Sequence, residues 1–320
     1  MLRYTADGAA DPQRNEVYAG IVSSMYSLLD RIVREATEAD SPMLYFNVVR
    51  YERMQLETLS QLLSAYRKQT DNTSLFNMAM SGGSARKEKD QAEKEIAERR
   101  IFNKVWTEYP LDTDSVDALN SVFADDSLPS YFKEFLVSAL LLGGLEYYEE
   151  TRLMVLLDIY SSARSVLALK ALCAAVLIMY RYRMRPVSAR LSARIAALRD
   201  TCHWERDLKA VFLQLIRTRD TEKINRKVRD ELMPQMLKLR PDLYRKINDT
   251  TAVIDLSEME ENPEWQELLE NSGLADKMKE LSQIQEDGGD VLMSTFSHLK
   301  TFPFFNELSN WFMPFHIDHS

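Results

Sequence analysis

The sequence predicts an all-α fold in which helical hairpins stack into a solenoid-like array. Glycine and proline are scarce, at 9 and 10 of the 320 residues, so the chain has few of the turn residues that a fold of many short strands requires. Apolar residues recur at the three- and four-residue spacing of an amphipathic helix along most of the chain. Long helices satisfy both observations, and an irregular helical bundle is the alternative arrangement.

The N-terminal region, residues 1–125, is predicted to form helical hairpins. Within residues 15–37, nine apolar residues share one side of a helix: Val17, Tyr18, Ile21, Val22, Met25, Leu28, Leu29, Ile32 and Val33. Residues 41–69 follow as a second helix, which Ser41 can cap and in which Pro42 suits the first helical position. We expect these two helices to pair as an antiparallel hairpin.

A highly charged segment, residues 81–100, interrupts this region. It begins with the string SGGS, which is typical of a flexible joint, and continues with Glu and Lys at helical spacing. A helix of this composition is usually a solvated arm. The glycine pair lacks the G-x-x-x-x-G-K-[ST] pattern of a phosphate-binding loop.

The middle region, residues 126–248, is predicted to be the helical core. Ser138-Ala139-Leu140 aligns with Lys170-Ala171-Leu172 at an offset of 32 residues, which favours HEAT-like or tetratricopeptide-like packing of helix pairs over residues 128–218. The most apolar stretch, Val166 to Tyr180, is fifteen residues long and contains a lysine. A bilayer span needs about 20 apolar residues, so we expect a buried central helix and no transmembrane segment.

The last region, residues 249–320, combines an acidic segment with an aromatic tail, HLKTFPFFNELSNWFMPFHIDHS. Exposed aromatic residues in such number promote aggregation unless something covers them. We therefore expect an aromatic clasp, formed by Phe304, Trp311 and Phe315, that packs on the chain's own helical body. Docking of the tail on a further domain after residue 320, or on a partner protein, is the alternative.

The charges are strongly polarised along the chain. Residues 181–246 carry 18 Lys and Arg against 8 Asp and Glu, whereas residues 247–320 carry 3 against 15. Some of the basic residues share a helical face, and we take them as candidate partner-binding residues: Arg190, Arg194, Lys223, Arg226, Lys227 and Arg229. The anion they attract is the chain's own acidic segment, a protein partner or, as the weaker alternative, a nucleic acid, because no nucleic-acid recognition motif is present and the pI is about 5.2.

No residues are assigned to catalysis, to a cofactor or to a metal. His316 and His319 stand at metal-ligand spacing but lack further ligands nearby, and the segment around Cys202 and His203 places its side chains apart on a helix. The two cysteines show no disulfide or metal spacing and the N-terminus lacks the apolar core of a secretion signal, so we expect a cytoplasmic protein.

The string HLKTFPFFNELSNWFMPF, residues 298–315, resembles a segment of large uncharacterised bacterial proteins that carry tetratricopeptide repeats. The resemblance implies a scaffolding role and allows a further domain beyond residue 320. The expected function is therefore a non-catalytic protein–protein interaction or scaffold module. A nucleic-acid-associated helical protein is the second hypothesis, and an enzyme without a recognisable motif is the third.

Overall fold

The computed structural model of the protein describes residue 8 and residues 13–54, 57–79, 84–163, 166–201, 203–227, 229–230, 279, 282–286 and 303–312. These residues contain eleven α-helices of seven residues or more, further helical residues at 279 and 282–286, and no β-strand, which confirms the all-α class. The helices are α1 (Arg14–Asp40), α2 (Pro42–Val48), α3 (Leu59–Ala79), α4 (Ser84–Thr107), α5 (Thr113–Ala124), α6 (Ser130–Glu146), α7 (Glu150–Ser162), α8 (Val166–Arg181), α9 (Ala189–Thr201), α10 (Trp204–Arg217) and α11 (Thr221–Lys227). A π-helical turn, Val49–Arg53, follows α2, and 3₁₀ turns lie at Thr218–Asp220, Pro303–Asn306 and Leu308–Trp311.

The chain divides into two compact units, Met1–Cys202 with Phe312–Ser320, and His203–Trp311. The first unit contains α1 to α9, and the second contains α10, α11 and the 3₁₀ turns. Within the first unit, α4 packs on α6 and α5 packs on α7, so helices on either side of the predicted boundary at residue 125 contact each other. The three-region division at residues 125 and 248 itself stays a prediction.

From α3 to α9, the helices pack mainly against helices that lie one or two places away along the chain. Thus α3 contacts α4 and α5, α6 contacts α7 and α8, and α7 contacts α8 and α9. Contacts restricted to near neighbours in sequence are typical of stacked helical repeats. The regular solenoid stays a prediction, with the irregular bundle as its alternative.

Helix α8 is the helix predicted over Val166 to Tyr180. Leu172 and Ile178 are fully buried, between α6 and α7, which both pack on α8. Its one lysine, Lys170, reaches Glu134 of α6 with Nζ 3.6 Å from the carboxylate. The helix is not covered all round, however, because Leu169 remains 45% exposed on its outer side.

Two adjacent glycines near the end of α6 allow the helices to approach closely. A Cβ atom at Gly144 would collide with the side chain of Ile178 on α8. A Cβ atom at Gly143 would lie 2.7 Å from the backbone carbonyl oxygen of Trp106 on α4 and against the guanidinium group of Arg152 on α7. Backbone atoms cannot move aside cheaply, so Gly143 fixes the distance between α6 and α4.

We expect opposite effects from the same substitution at two helical glycines. Gly143→Ala should lower the free energy of unfolding by about 1–3 kcal/mol, because overpacking outweighs the better helix propensity of alanine. Gly20→Ala in α1 should raise it by up to about 1 kcal/mol, since a Cβ atom there meets nothing within 4 Å. Urea denaturation of both variants measures the difference, and a stabilised Gly143→Ala would contradict the close approach of α6 and α4.

Helix α5 begins at a side-chain cap. Asp112 accepts a hydrogen bond from the backbone N–H of Ser115, 2.8 Å from Oδ1. This backbone bond, which is the largest cause, holds the pKa of Asp112 below its usual value. The charge-dependent part of the capping stability is therefore present above the ordinary pKa of 3.8 and is lost as the pH falls through the depressed folded value.

Asp112→Ala is expected to lower the free energy of unfolding at neutral pH by about 1 kcal/mol. Asp112→Asn is the matched control, because asparagine keeps the capping oxygen but does not titrate. At neutral pH, the asparagine variant should keep most of the stability of the natural chain. Between pH 5 and 2 it should lose less stability than the natural chain does, and the difference measures the charge-dependent part of the cap. Chemical denaturation across this pH range tests both statements.

Two predictions for the N-terminal region are wrong. The second long helix, residues 41–69, is broken into α2, a π-helical turn and α3, because residues 54 and 57–58 are not helical. The charged segment 81–100 is not a solvated arm in its C-terminal turns, since Glu98 is buried and accepts hydrogen bonds from Tyr66 and Tyr131. Residues 81–83 of that segment lie outside the described residues.

Candidate functional site

Helix α1 contacts the rest of the first unit through its polar side. Tyr26, Asp30, Arg34 and Glu38 recur every four residues and therefore lie on one face of the helix. Both carboxylate oxygens of Asp30 lie 2.6–2.7 Å from Nη1 of Arg185, which is 155 residues away in the sequence. This ion pair ties the middle of α1 to the segment that follows α8.

Arg34 is the second attachment point of α1. Its guanidinium group donates to Glu38 at 2.9 Å, to the Tyr109 carbonyl oxygen at 3.0 Å and to Glu52 at 2.5 Å, and it lies 4.8 Å from the centre of the Tyr109 ring. Burial alone would lower the pKa of Arg34, but the hydrogen bonds and charges of Glu52 and Glu38 outweigh it and raise that pKa. Arg53 adds a further bond to Glu38 at 2.7 Å. Helix α1 is thus held by charge-assisted hydrogen bonds, which are stronger than neutral ones.

The apolar side of α1 faces solvent. Eight of the nine apolar residues predicted to share a face are between 39% and 69% exposed, and we call them the α1 stripe: Val17, Tyr18, Ile21, Met25, Leu28, Leu29, Ile32 and Val33. The expectation that this side packs within a helical hairpin is therefore wrong. Two physical reasons account for it: the polar face makes the ion pairs with the body, and the helix expected to cover the stripe is broken.

The six candidate basic residues fall in different units, and each group is described by itself. On α9 of the first unit, Arg194 lies 2.6 Å from Asp158 and 2.7 Å from the Ser161 hydroxyl of α7, while Arg190 is exposed. Arg194 is thus engaged within its own unit.

In the second unit, most of the candidate basic residues also have acidic neighbours. Lys223 lies 3.0 Å from Asp220, Arg226 lies 2.6 Å from Glu222, and Arg229 lies 3.0 Å from Asp230; Lys227 is half-buried on the same helix as Lys223 and Arg226. These local pairs favour the interpretation that the basic residues are balanced by the chain itself. Binding of an external anion stays a prediction.

The aromatic clasp is only partly described. Phe304 is 51% exposed, so the prediction that it is mostly buried is wrong. Trp311 is partly buried; its ring lies 4.7 Å from that of Phe305, and its Nε1–H donates to the Phe305 carbonyl oxygen at 2.9 Å. These contacts fold the tail on itself, which leaves Phe304 outside. Phe315 lies outside the described residues.

An aromatic residue that the sequence interpretation did not choose does contact the helical body. Phe312 belongs to the first unit, where its ring stacks 5.8 Å from that of Phe102 on α4. Spacing among six aromatic residues does not show which of them lies against a helix, so no sequence signal distinguished Phe312.

A buried ionic group joins the end of α4 to the start of α7, and the sequence interpretation missed it. Arg152 is 1% exposed; it donates to Glu149 at 2.7 Å, to the Val105 carbonyl oxygen at 2.8 Å and to the Glu108 carbonyl oxygen. Glu149 in turn accepts a hydrogen bond from the backbone N–H of Leu111 at 2.6 Å. Because the last carbonyl groups of a helix lack intrahelical partners, Arg152 stabilises the C-terminal end of α4.

A second buried group surrounds Glu98 of α4. One carboxylate oxygen of Glu98 accepts hydrogen bonds from the hydroxyl groups of Tyr66, at 2.6 Å, and Tyr131, at 2.8 Å. Burial, followed by the charge of Glu98, raises the pKa of both tyrosines. Hydroxyl groups in this state remain donors at neutral pH, so the cluster links α3, α4 and α6 through hydrogen bonds.

No candidate metal site and no helix that could span a membrane occur among the described residues. Within the described ranges, no group of three or more His, Cys, Asp or Glu side chains is placed to hold a metal ion, and His316 and His319 lie outside those ranges. Among the helices that the structure describes, none has both the length and the apolar character that crossing a bilayer demands. The cytoplasmic location stays a prediction.

Comparisons with models of known protein families, with curated proteins and with solved structures find no match. The resemblance of residues 298–315 to the tetratricopeptide-repeat proteins stays a prediction. The α1 stripe is the feature of the described surface that departs most from an ordinary helical protein.

Proposed function

We propose that the protein is a non-catalytic protein–protein interaction module, built from stacked helices, that binds its partner through the α1 stripe. The observation that carries this proposal is the orientation of α1, which contacts the body through Asp30 and Arg34 and leaves eight apolar residues exposed. A surface helix normally does the opposite. Contiguous exposed apolar surface marks interaction sites.

The way α1 is held supports a binding role. A helix fixed by several ion pairs is ordered before the partner arrives, so association does not have to order it, and preorganised surfaces bind more tightly for that reason. The packing of α3 to α9 on near neighbours supports a solenoid-like scaffold behind the helix. The nucleic-acid hypothesis is not favoured, because four of the six candidate basic residues lie beside carboxylates.

The test is capture followed by reconstitution. The tagged full chain and its variant Met25→Lys/Leu28→Lys are used to capture proteins from host lysate, and each captured protein, this chain included, is then purified and bound to the tagged chain directly. We expect the natural chain to bind at least one of them. The variant should bind that protein with an affinity about 100-fold lower, since burying an unpaired lysine costs free energy.

The matched control is Leu169→Lys, which introduces the same charge at an exposed apolar residue of α8. This control should bind as the natural chain does. Equal binding by the natural chain and by Met25→Lys/Leu28→Lys, for every reconstituted partner, would remove the α1 stripe as the interaction surface.

A further inference from the structure

We infer that the partner on the α1 stripe is a second copy of this chain, and that the two α1 helices pair antiparallel about a two-fold axis. This inference rests on the proposed function, because it names the partner of the same surface. The spacing of the stripe, the charges at its two ends and the area it exposes all favour this pairing.

The spacing matches that of a helix which pairs with another helix. Tyr18, Ile21, Met25, Leu28 and Ile32 are separated alternately by three and four residues, which is the a and d pattern of a coiled coil. A seam of this kind is complementary to an α-helix with the same pattern. A second α1 supplies that pattern, and the isologous contact of a two-fold dimer requires one self-complementary surface only.

The ends of the seam select the antiparallel arrangement. Arg14 precedes Tyr18 by four residues and Glu35 follows Ile32 by three, so these two residues extend the a and d pattern at its two ends. Both side chains are exposed, and neither forms an ion pair with any other described residue. Antiparallel pairing brings Arg14 of each copy to the Glu35 end of the other, whereas parallel pairing would place like charges side by side.

The exposed area is close to what a dimer needs. A standard interface buries about 800 Å² per partner, of which roughly 500 Å² is apolar in homodimers. A large apolar side chain offers on the order of 100 Å² when fully exposed, so eight that are about half exposed offer on the order of 400 Å². Helix α2, which follows directly, also has exposed apolar side chains, at Met43, Tyr45 and Phe46.

Pairing through the seam also leaves the attachment of α1 intact. The ion pairs to Arg185 and around Arg34 lie on the face that carries Tyr26 and Asp30, away from Met25 and Leu28 on the helix. A second copy therefore contacts a helix that is already fixed, and no described ion pair has to break.

The test is the mass of the full chain in solution, measured by light scattering after size exclusion and by sedimentation equilibrium. The natural chain is expected at about twice its monomer mass of 37.1 kDa. Met25→Lys, which places two ammonium groups near the two-fold axis, should weaken the dimer by about 100-fold or more. Leu169→Lys should remain dimeric, and circular dichroism confirms that each variant is folded.

A charge exchange tests the direction of the helices. Arg14→Glu and Glu35→Arg should each weaken the dimer by about 3- to 10-fold, because each creates two like-charged contacts. The double variant Arg14→Glu/Glu35→Arg should recover the natural affinity. In a parallel dimer, residue 14 would face residue 14 and residue 35 would face residue 35. Neither single variant would then change the number of like-charged contacts, so neither should weaken the dimer.

The outcomes separate this inference from the proposed function. A monomeric natural chain at 100 μM, or a dimer that Met25→Lys leaves unchanged, overturns the inference. If the stripe then binds a different reconstituted protein, the proposed function stands; if it binds none, both fail. Binding of the monomer to lipid vesicles through the stripe likewise overturns the inference.

Discussion

Arg152→Met is expected to lower the free energy of unfolding by about 3–5 kcal/mol, which is the usual effect of removing one partner of a buried ion pair. The variant leaves the carboxylate of Glu149 buried without its counter-charge. It also leaves the carbonyl oxygens of Val105 and Glu108 without the donors they have in the natural chain. Methionine fills a similar volume, so the loss reports on charge and hydrogen bonding and not on a cavity.

Two further variants identify the cause of that loss. Arg190→Met makes the same chemical change at an exposed position of α9 and should change stability by less than about 0.5 kcal/mol. Arg152→Met/Glu149→Gln removes the stranded charge but keeps an oxygen for the N–H of Leu111, so it should recover part of the loss. Urea denaturation with unchanged m values measures all three. A loss below about 1 kcal/mol in Arg152→Met would show that this pair does not hold α7 to the end of α4.

The fold class could be predicted from the sequence because it depends on local properties. Sparse glycine and proline and a repeated helical spacing determine where helices form, and the helix predicted over Val166 to Tyr180 is present as α8. Arg152 could not be found in this way. Its pair with Glu149, three residues away, looks in sequence like any surface pair, and its other partners are backbone atoms more than 40 residues distant.

The α1 stripe shows a second limit of sequence reasoning. Periodicity identifies which residues share a face, and the stripe was identified correctly, but it does not show whether that face is covered. The informative signal was on the opposite side, where Asp30, Arg34 and Glu38 repeat every four residues. Their partners Arg185, Tyr109 and Glu52 are remote in sequence or lie in a turn, so only the tertiary structure shows that the polar face is the attached one.

Leu172→Ala is expected to lower the free energy of unfolding by about 2–5 kcal/mol. Leu172 is fully buried on α8, which packs against both α6 and α7. Truncation removes apolar contacts and leaves a cavity, and the helices on either side are themselves held by Gly143, Gly144 and Arg152, so they cannot collapse into the space. The loss should therefore lie in the upper part of that range.

Leu169→Ala is the matched control, because it removes the same atoms from the same helix at a position that is 45% exposed. It should cost less than about 1 kcal/mol, since little buried contact is lost and alanine favours the helix. Leu172→Met, which nearly conserves volume, should cost less than about 1.5 kcal/mol. Equal losses in Leu172→Ala and Leu169→Ala would mean that α8 does not present its Leu172 side to the core, and the packing of α6 and α7 around it would be wrong. If the losses differ as expected, the excess in Leu172→Ala measures how rigidly α6 and α7 surround α8.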